Sequence, residues 1–178
     1  MKGPEMKKIL IVVDVQNDFV IGSLGSPQAK AIIPNVKAKI NEYNDRGDKI
    51  IFTRDTHDEN YLETQEGKYL PVLHCVSGTP GWEIYDHLDK NTSYDYIDKE
   101  TFGWNGWSGK INDPIDEIEI IGLCTDICIV TNALILKTLF PETVITVDAS
   151  CCAGVTEESH KAALLVMRSC QVNVINGD

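Results

Sequence analysis

Five consecutive apolar residues, Ile9-Leu10-Ile11-Val12-Val13, run straight into Asp14 near the start of the chain. A largely β-branched run with no polar member reads as a strand covered on both faces, and such strands belong to parallel sheets flanked by helices. The rest of the sequence keeps that rhythm. A helix is predicted from near Pro34 through Val36, Ile40 and Tyr43 to Gly47, and a strand follows over 49–53. Further strands are predicted over 94–98, 117–123, 143–147 and 171–175, with helices from about Asp126 to Leu139 and from Thr156 through Met167. Strands alternating with helices imply right-handed crossovers. The expected fold is α/β: one domain over 1–178, a Rossmann-like three-layer sandwich with a central, mostly parallel six-stranded sheet and helices on both faces.

In an open parallel sheet, ligands bind outside the carboxyl ends of the strands. Asp14 follows the first strand, Asp55 and His57 the second, and Lys99 the third. After the fourth, the turn Cys124-Thr125-Asp126 leads to Cys128 in the first turn of an apolar helix. Free N–H groups and the positive dipole end at a helix start favour a thiolate, and the same N–H groups can hold an oxyanion. Taken singly, each residue has a plain alternative: a core cysteine, a turn-capping aspartate, a solvated lysine. Their convergence on one rim points to a nucleophile, an acid/base group and a charge that favours their ionised forms.

A second set lies beside the first. Asp55 and His57 alternate to the same side of a strand, and Glu66 and His74 follow in the stretch 56–82. That stretch breaks the strand–helix rhythm and carries Tyr61, Tyr69, His74 and Trp82, so it is expected to be a functional loop. Carboxylate and imidazole together suit Zn²⁺, Mn²⁺ or Fe²⁺. Phe19, Trp104 and Trp107 are candidates for an aromatic wall around a flat ring, while His87 and His160 match no motif.

Lys and Arg total 16 against 27 Asp and Glu, a net charge of −11, which argues against nucleic acid and anionic membrane as partners. The apolar run before Asp14 is too short for a signal-peptide core, and no stretch approaches a membrane span; a cytoplasmic protein is expected. Its six cysteines show no secreted-type spacing and read as reduced thiols.

Several segments carry a family likeness: Val13-Asp14-Val15-Gln16-Asn17-Asp18-Phe19, Arg54-Asp55-Thr56-His57, Leu70-Pro71-Val72-Leu73-His74-Cys75, Lys99-Glu100-Thr101-Phe102 and Gly122-Leu123-Cys124-Thr125-Asp126-Ile127-Cys128. Through them the chain resembles the isochorismatase-like cysteine hydrolases, and within these the nicotinamidases. The resemblance implies an Asp14–Lys99–Cys128 triad, an oxyanion held by the backbone N–H groups of Cys124 and Cys128, and a cis peptide between Leu123 and Cys124. It implies a divalent metal, zinc first, on Asp55, His57, His74 and Glu66, with Glu63 the alternative to Glu66. The ion would bind the pyridine nitrogen. The implied reaction is nicotinamide plus water to nicotinate plus ammonia, in NAD salvage, in a homo-oligomer. Two positions depart from the pattern: Cys124 stands where the family often has alanine, and Leu70-Pro71-Val72-Leu73 where a tryptophan often precedes the last histidine. The alternatives are a hydrolase of another small amide or of an N-carbamoyl or ureido compound, which would need a pocket arginine, and a non-catalytic ligand- or metal-binding relative. Strand alternation turns Arg54 away from Asp55, which favours a neutral amide.

Overall fold

The computed structural model describes residues 6–88, 91, 93–112 and 114–177. The strands β1 (Lys8–Val13), β2 (Lys49–Asp55), β3 (Asp95–Lys99), β4 (Glu117–Leu123), β5 (Val144–Ala153) and β6 (Asn173–Ile175) form one sheet. Their order is β3-β2-β1-β4-β5-β6 and every pairing is parallel. The helices are α1 (Asn17–Val20), α2 (Pro27–Ala31), α3 (Ile33–Arg46), α4 (Gln65–Tyr69), α5 (Trp107–Lys110), α6 (Val130–Leu139) and α7 (Glu157–Ser169).

Alternation along β1 divides the core. Ile9, Ile11 and Val13 pack with Leu136, Leu164 and Met167 of α6 and α7, while Leu10 and Val12 pack with Val36, Ile40 and Tyr43 of α3. All five residues of the run are at most 2% exposed, and each such side chain stabilises the fold by roughly 1.5–3 kcal/mol. Helix ends follow from sequence: Gly47 takes a φ of +74° after α3, which glycine adopts without strain. Thr156 and Ser159 form a reciprocal cap on α7.

Three elements differ from the expectation. β5 does not stop at 147 but continues to Ala153, because its pairing slips: Val147 faces Ile120 and Cys152 faces Gly122. The polar Asp148 and Ser150 fall in that irregularity and mask the strand. The helix expected from Asp126 opens as a π turn over Thr125–Ile129, with the Ile129 N–H donating to the Cys124 carbonyl at 3.0 Å. The stretch 56–82 contains a 3₁₀ turn, Tyr61–Glu63, and α4, whose cap Thr64 accepts from the Gly67 N–H at 3.0 Å.

Because β2 and β4 flank β1 on opposite sides, strand order reverses at β1. Asp14 and the turn after β4 therefore meet at the topological switch point, where a crevice opens in such sheets. Among the described residues no helix is long and apolar enough to cross a membrane.

Candidate active site

Asp14 leaves β1 with a φ of +50°, a left-handed conformation that aspartate tolerates better than most residues. The Thr53 hydroxyl donates to its Oδ1 at 2.6 Å, and the Lys99 ammonium lies 2.6 Å from its Oδ2. Lys99 is itself buried at the end of β3. Its Nζ also reaches Asp55 Oδ1 at 3.3 Å, the Thr101 carbonyl at 3.1 Å and Cys128 Sγ at 3.6 Å. An isolated buried ammonium costs several kcal/mol. Here burial works to lower the Lys99 pKa, but Asp14, Cys128 and Asp55 outweigh it and hold the group above its ordinary value, so it stays charged.

Cys128 departs from the expectation of a standing thiolate. Burial pushes its thiol well above the usual value; Lys99 pulls it down, and Asp14 and Asp55 push it up again. Burial dominates this balance and favours the neutral thiol. Asp14 is raised too, first by burial, with Lys99 opposing and Asp55 adding. A raised carboxylate beside a neutral thiol is arranged to take the proton as the sulfur attacks.

The turn that delivers Cys128 is tightly specified. Gly122 has a φ of +122°, and a Cβ there would collide with the Val13 carbonyl oxygen. Glycine thus lets β4 close on β1 where Asp14 emerges. The Leu123–Cys124 peptide is cis, as the resemblance implies. The N–H groups of Ile127 and Ile129 both donate to the Cys124 carbonyl, at 3.1 and 3.0 Å. Burial, with Asp126 adding to it, raises the Cys124 thiol to about 12.

Asn132, which the sequence pattern did not single out, is fully buried four residues beyond Cys128. Its Nδ2 donates to the Cys128 carbonyl at 2.8 Å and the Phe102 carbonyl at 3.1 Å; its Oδ1 accepts from Trp104 N and Trp107 Nε1, both at 3.0 Å. All four bonds of the amide are used. The available signal was an asparagine four residues after Cys128, one helical turn on from the nucleophile candidate.

The second set also converges. Asp55 Oδ2 lies 2.9 Å from His57 Nε2 and 3.4 Å from His74 Nε2, and Glu66 Oε1 lies 3.7 Å from His57 Nε2. One ligand atom from each of the four residues lies within 4.8 Å of all the others. A tetrahedral ion with bonds near 2.1 Å holds its ligand atoms about 3.4 Å apart. His74 Nδ1 donates to the Val72 carbonyl at 2.7 Å, which turns Nε2 toward the cluster. Against burial, hydrogen bonds from His57 and His74 and the charge of Lys99 hold Asp55 well below the usual carboxylate range. Glu66 is pushed up by burial and by Asp55, a crowding of negative charge that a cation relieves. The donor set and its spacing fit a divalent ion. Glu63 is exposed on the preceding 3₁₀ turn, and the cluster takes Glu66 instead.

The residues after Asp14 hold this loop in place. Gln16 donates to the carbonyls of Asp55 and Trp82 at 2.9 and 2.8 Å and accepts from Asp55 N at 2.7 Å. Asn17 donates to the Pro80 carbonyl at 2.8 Å, and Asp18 accepts from Cys75 N at 2.8 Å.

Above Cys128 opens a cavity of about 920 Å³, with Asp55, Glu66 and His74 on one side and Phe19, Leu70, Phe102 and Ile127 among its walls. The Phe19 ring lies 5.6 Å from that of His74. Trp104 and Trp107 do not line it, which corrects their assignment as ring contacts. Trp107 is fully buried in the core, Trp104 packs edge-on against it at 4.9 Å, and both are tied to Asn132. Their loop presents Phe102 to the cavity instead. Arg54 pairs with Asp98 at 2.7 Å and stacks over Trp82, turned away as alternation predicted. His160 meets the Thr125 hydroxyl at 2.8 Å and His87 is exposed.

The family profile of the isochorismatase domain matches residues 8–178. The chain belongs to the isochorismatase family. Within that family it is 28% identical to the nicotinamidase/pyrazinamidase of Mycobacterium tuberculosis, covering 94% of this chain and 98% of that protein. It is 30% identical to the nicotinamidase of Acinetobacter baylyi over 70% of this chain and 72% of the relative. The crystal structure of a nicotinamidase/pyrazinamidase from Bacillus subtilis superposes with a TM-score of 0.84 at 26% identity, covering 95% of this chain and 99% of that one. The Pyrococcus horikoshii pyrazinamidase in complex with zinc gives 0.82 at 26% identity, covering 96% and 99%.

Proposed function

We propose that this isochorismatase-family chain is a single-domain cysteine amidohydrolase acting on nicotinamide, releasing nicotinate and ammonia. The observation that carries the reading is Asp55, which pairs with Lys99 of the buried Asp14–Lys99–Cys128 group and belongs to the four-residue ligand set, beside a cavity lined by Cys128, Asp55, Glu66 and His74. Relatives named nicotinamidase or pyrazinamidase support the substrate.

In the first half-reaction Cys128 Sγ attacks the amide carbon while its proton passes to Asp14. The backbone N–H groups of Cys124 and Cys128 hold the oxyanion. Asp14 then returns the proton to the departing nitrogen, the C–N bond breaks, and ammonia leaves a thioester on Cys128. Water attacks the thioester with Asp14 again taking a proton, the C–S bond breaks, and the sulfur recovers its proton from Asp14. Lys99 stays charged throughout and balances whichever of the two partners carries negative charge. A divalent ion, zinc first, held by Asp55, His57, Glu66 and His74 supplies a Lewis acid for the ring nitrogen of the substrate.

Ammonia release from nicotinamide by the purified protein tests the proposal, with Cys128→Ala alongside. We expect turnover in the parent and a fall of about 10³-fold or more in the variant. Elemental analysis should find about one divalent ion per chain, lost in His74→Ala. Equal activity in parent and Cys128→Ala would overturn the nucleophile assignment.

A further inference from the structure

We infer that the cavity is built for neutral carboxamides carrying a bulky apolar branch remote from the reacting amide, rather than for a bare ring alone. The inference rests on the amidohydrolase reading above and names its substrate class.

Size comes first. A cavity of about 150 Å³ suffices for a single benzene ring, whereas this one measures about 920 Å³, near the upper end of the range that encloses drug-sized ligands. One heteroaromatic ring at Cys128 leaves most of it unfilled.

Chemistry comes second. The charged groups are confined to Asp55, Glu66 and His74, while Leu24, Leu70, Phe102, Ile127 and Val155 form apolar surface around and above them. Toward the mouth, Leu70, Phe102 and Val155 are 36%, 44% and 61% exposed. An apolar branch would cover that surface, whereas a bare ring leaves it wet. No arginine or lysine is among the lining residues, and the one nearby ammonium, Lys99, is committed to Asp14 and Asp55. With no cationic side chain to pair it and apolar walls to desolvate it, an anionic branch is disfavoured. Binding energy from a remote branch can be used at the reacting centre, so the gain should register in kcat/KM.

The test is a series of nicotinamides substituted at ring position 5 or 6 with hydrogen, butyl, phenyl or carboxylate. Each hydrolysis breaks one C–N bond, consumes one water and releases one ammonia, so a single assay serves all. A gain of about threefold per buried methylene predicts at least a tenfold rise in kcat/KM from the unsubstituted amide to the better butyl isomer, and a fall for the carboxylate. Leu70→Asp with Val155→Asp should cut the butyl-to-hydrogen ratio at least tenfold, with circular dichroism confirming the fold. Turnover of nicotinamide together with slower turnover of every butyl and phenyl isomer would overturn this inference and leave the amidohydrolase reading intact. No ammonia from any member would overturn both.

Discussion

Lys39 and Lys99 are both lysines set between two buried carboxylates, yet they lie on different sides of what this molecule does. Lys99 Nζ stands 2.6 Å from Asp14 and 3.3 Å from Asp55; Lys39 Nζ stands 2.7 Å from Glu119 and 3.1 Å from Asp148. Burial works to lower both, and the carboxylates hold both above their ordinary value. The difference lies in what surrounds them. Tyr43 donates to the free oxygen of Glu119 at 2.7 Å, and Ser150 and Asn176 fill the remaining oxygen of Asp148. That network closes on itself beneath α3. Around Lys99 the fourth neighbour is a thiol, and the far oxygen of Asp55 faces two imidazoles beside a cavity. A perturbed lysine therefore does not mark a site by itself; the open reach of its partners does.

The sharpest way to break this contrast is a matched pair. Lys99→Met should lower kcat by about 10³-fold or more. Lys39→Met should keep kcat within about twofold in the folded protein while unfolding about 3 kcal/mol more easily, because two carboxylates lose their counter-charge. Steady-state kinetics and denaturant titration on both proteins decide; comparable loss of kcat in folded Lys39→Met would erase the distinction. A smaller effect is expected at Asn132, which positions Cys128 without touching substrate. Asn132→Ala should reduce kcat by about 10- to 100-fold, as sub-ångström to ångström misplacement does, with KM nearly unchanged. Trp107→Phe, which removes one of the four bonds, should cost only a few-fold, and a dominant change in KM in either variant would contradict a positioning role.

The smallest effect concerns pH. Burial raises the Asp148 carboxyl, but hydrogen bonds from Ser150, Asn176 and Lys39 bring it below the usual value. The unfolded chain, with an aspartate near 3.9, then takes up its proton at a higher pH than the folded one. The stabilisation is complete above the unfolded value and is lost as pH falls through the folded one. Unfolding free energies from about pH 5 downward should fall less steeply in Asp148→Asn than in the parent. Parallel acid limbs would show that the network adds no pH dependence.

How much of this was written in the sequence depended on whether a residue's type or its direction mattered. β4 was legible to the residue, because Ile118, Ile120 and Ile121 sit between a polar start and Gly122. β5 was not, since its irregular pairing places Asp148 in the interior, where Ser150 and the distant Asn176 and Lys39 make it tolerable. Asp14, Lys99 and Cys128 could be gathered at one rim because strand ends in a parallel sheet have no other place to go. Asp55, His57 and His74 could be gathered by donor chemistry, whereas the choice between Glu66 and Glu63 rested on the family resemblance. Trp104 and Trp107 were assigned by type; the fold buries Trp107, whose indole N–H donates to Asn132, and sets Trp104 edge-on against it, leaving the wall to Phe102. The hold that Gln16, Asn17 and Asp18 exert on Trp82, Pro80 and Cys75 spans some sixty residues of chain, a distance that no local pattern encodes.

Asp55 carries one further consequence. Its Oδ1 belongs to Lys99 and its Oδ2 to His57 and His74, so the same carboxyl group is a member of two assemblies. Any lineage descending from this chain can drift at His57, Glu66 or His74 one position at a time and keep its ammonium seated. Drift at Asp55 has no such half-way form, because a single codon change strikes both assemblies together. Within this rim Asp55 should therefore be the last ligand to vary, and variants at it should reach wild-type fitness only when a second change re-seats Lys99.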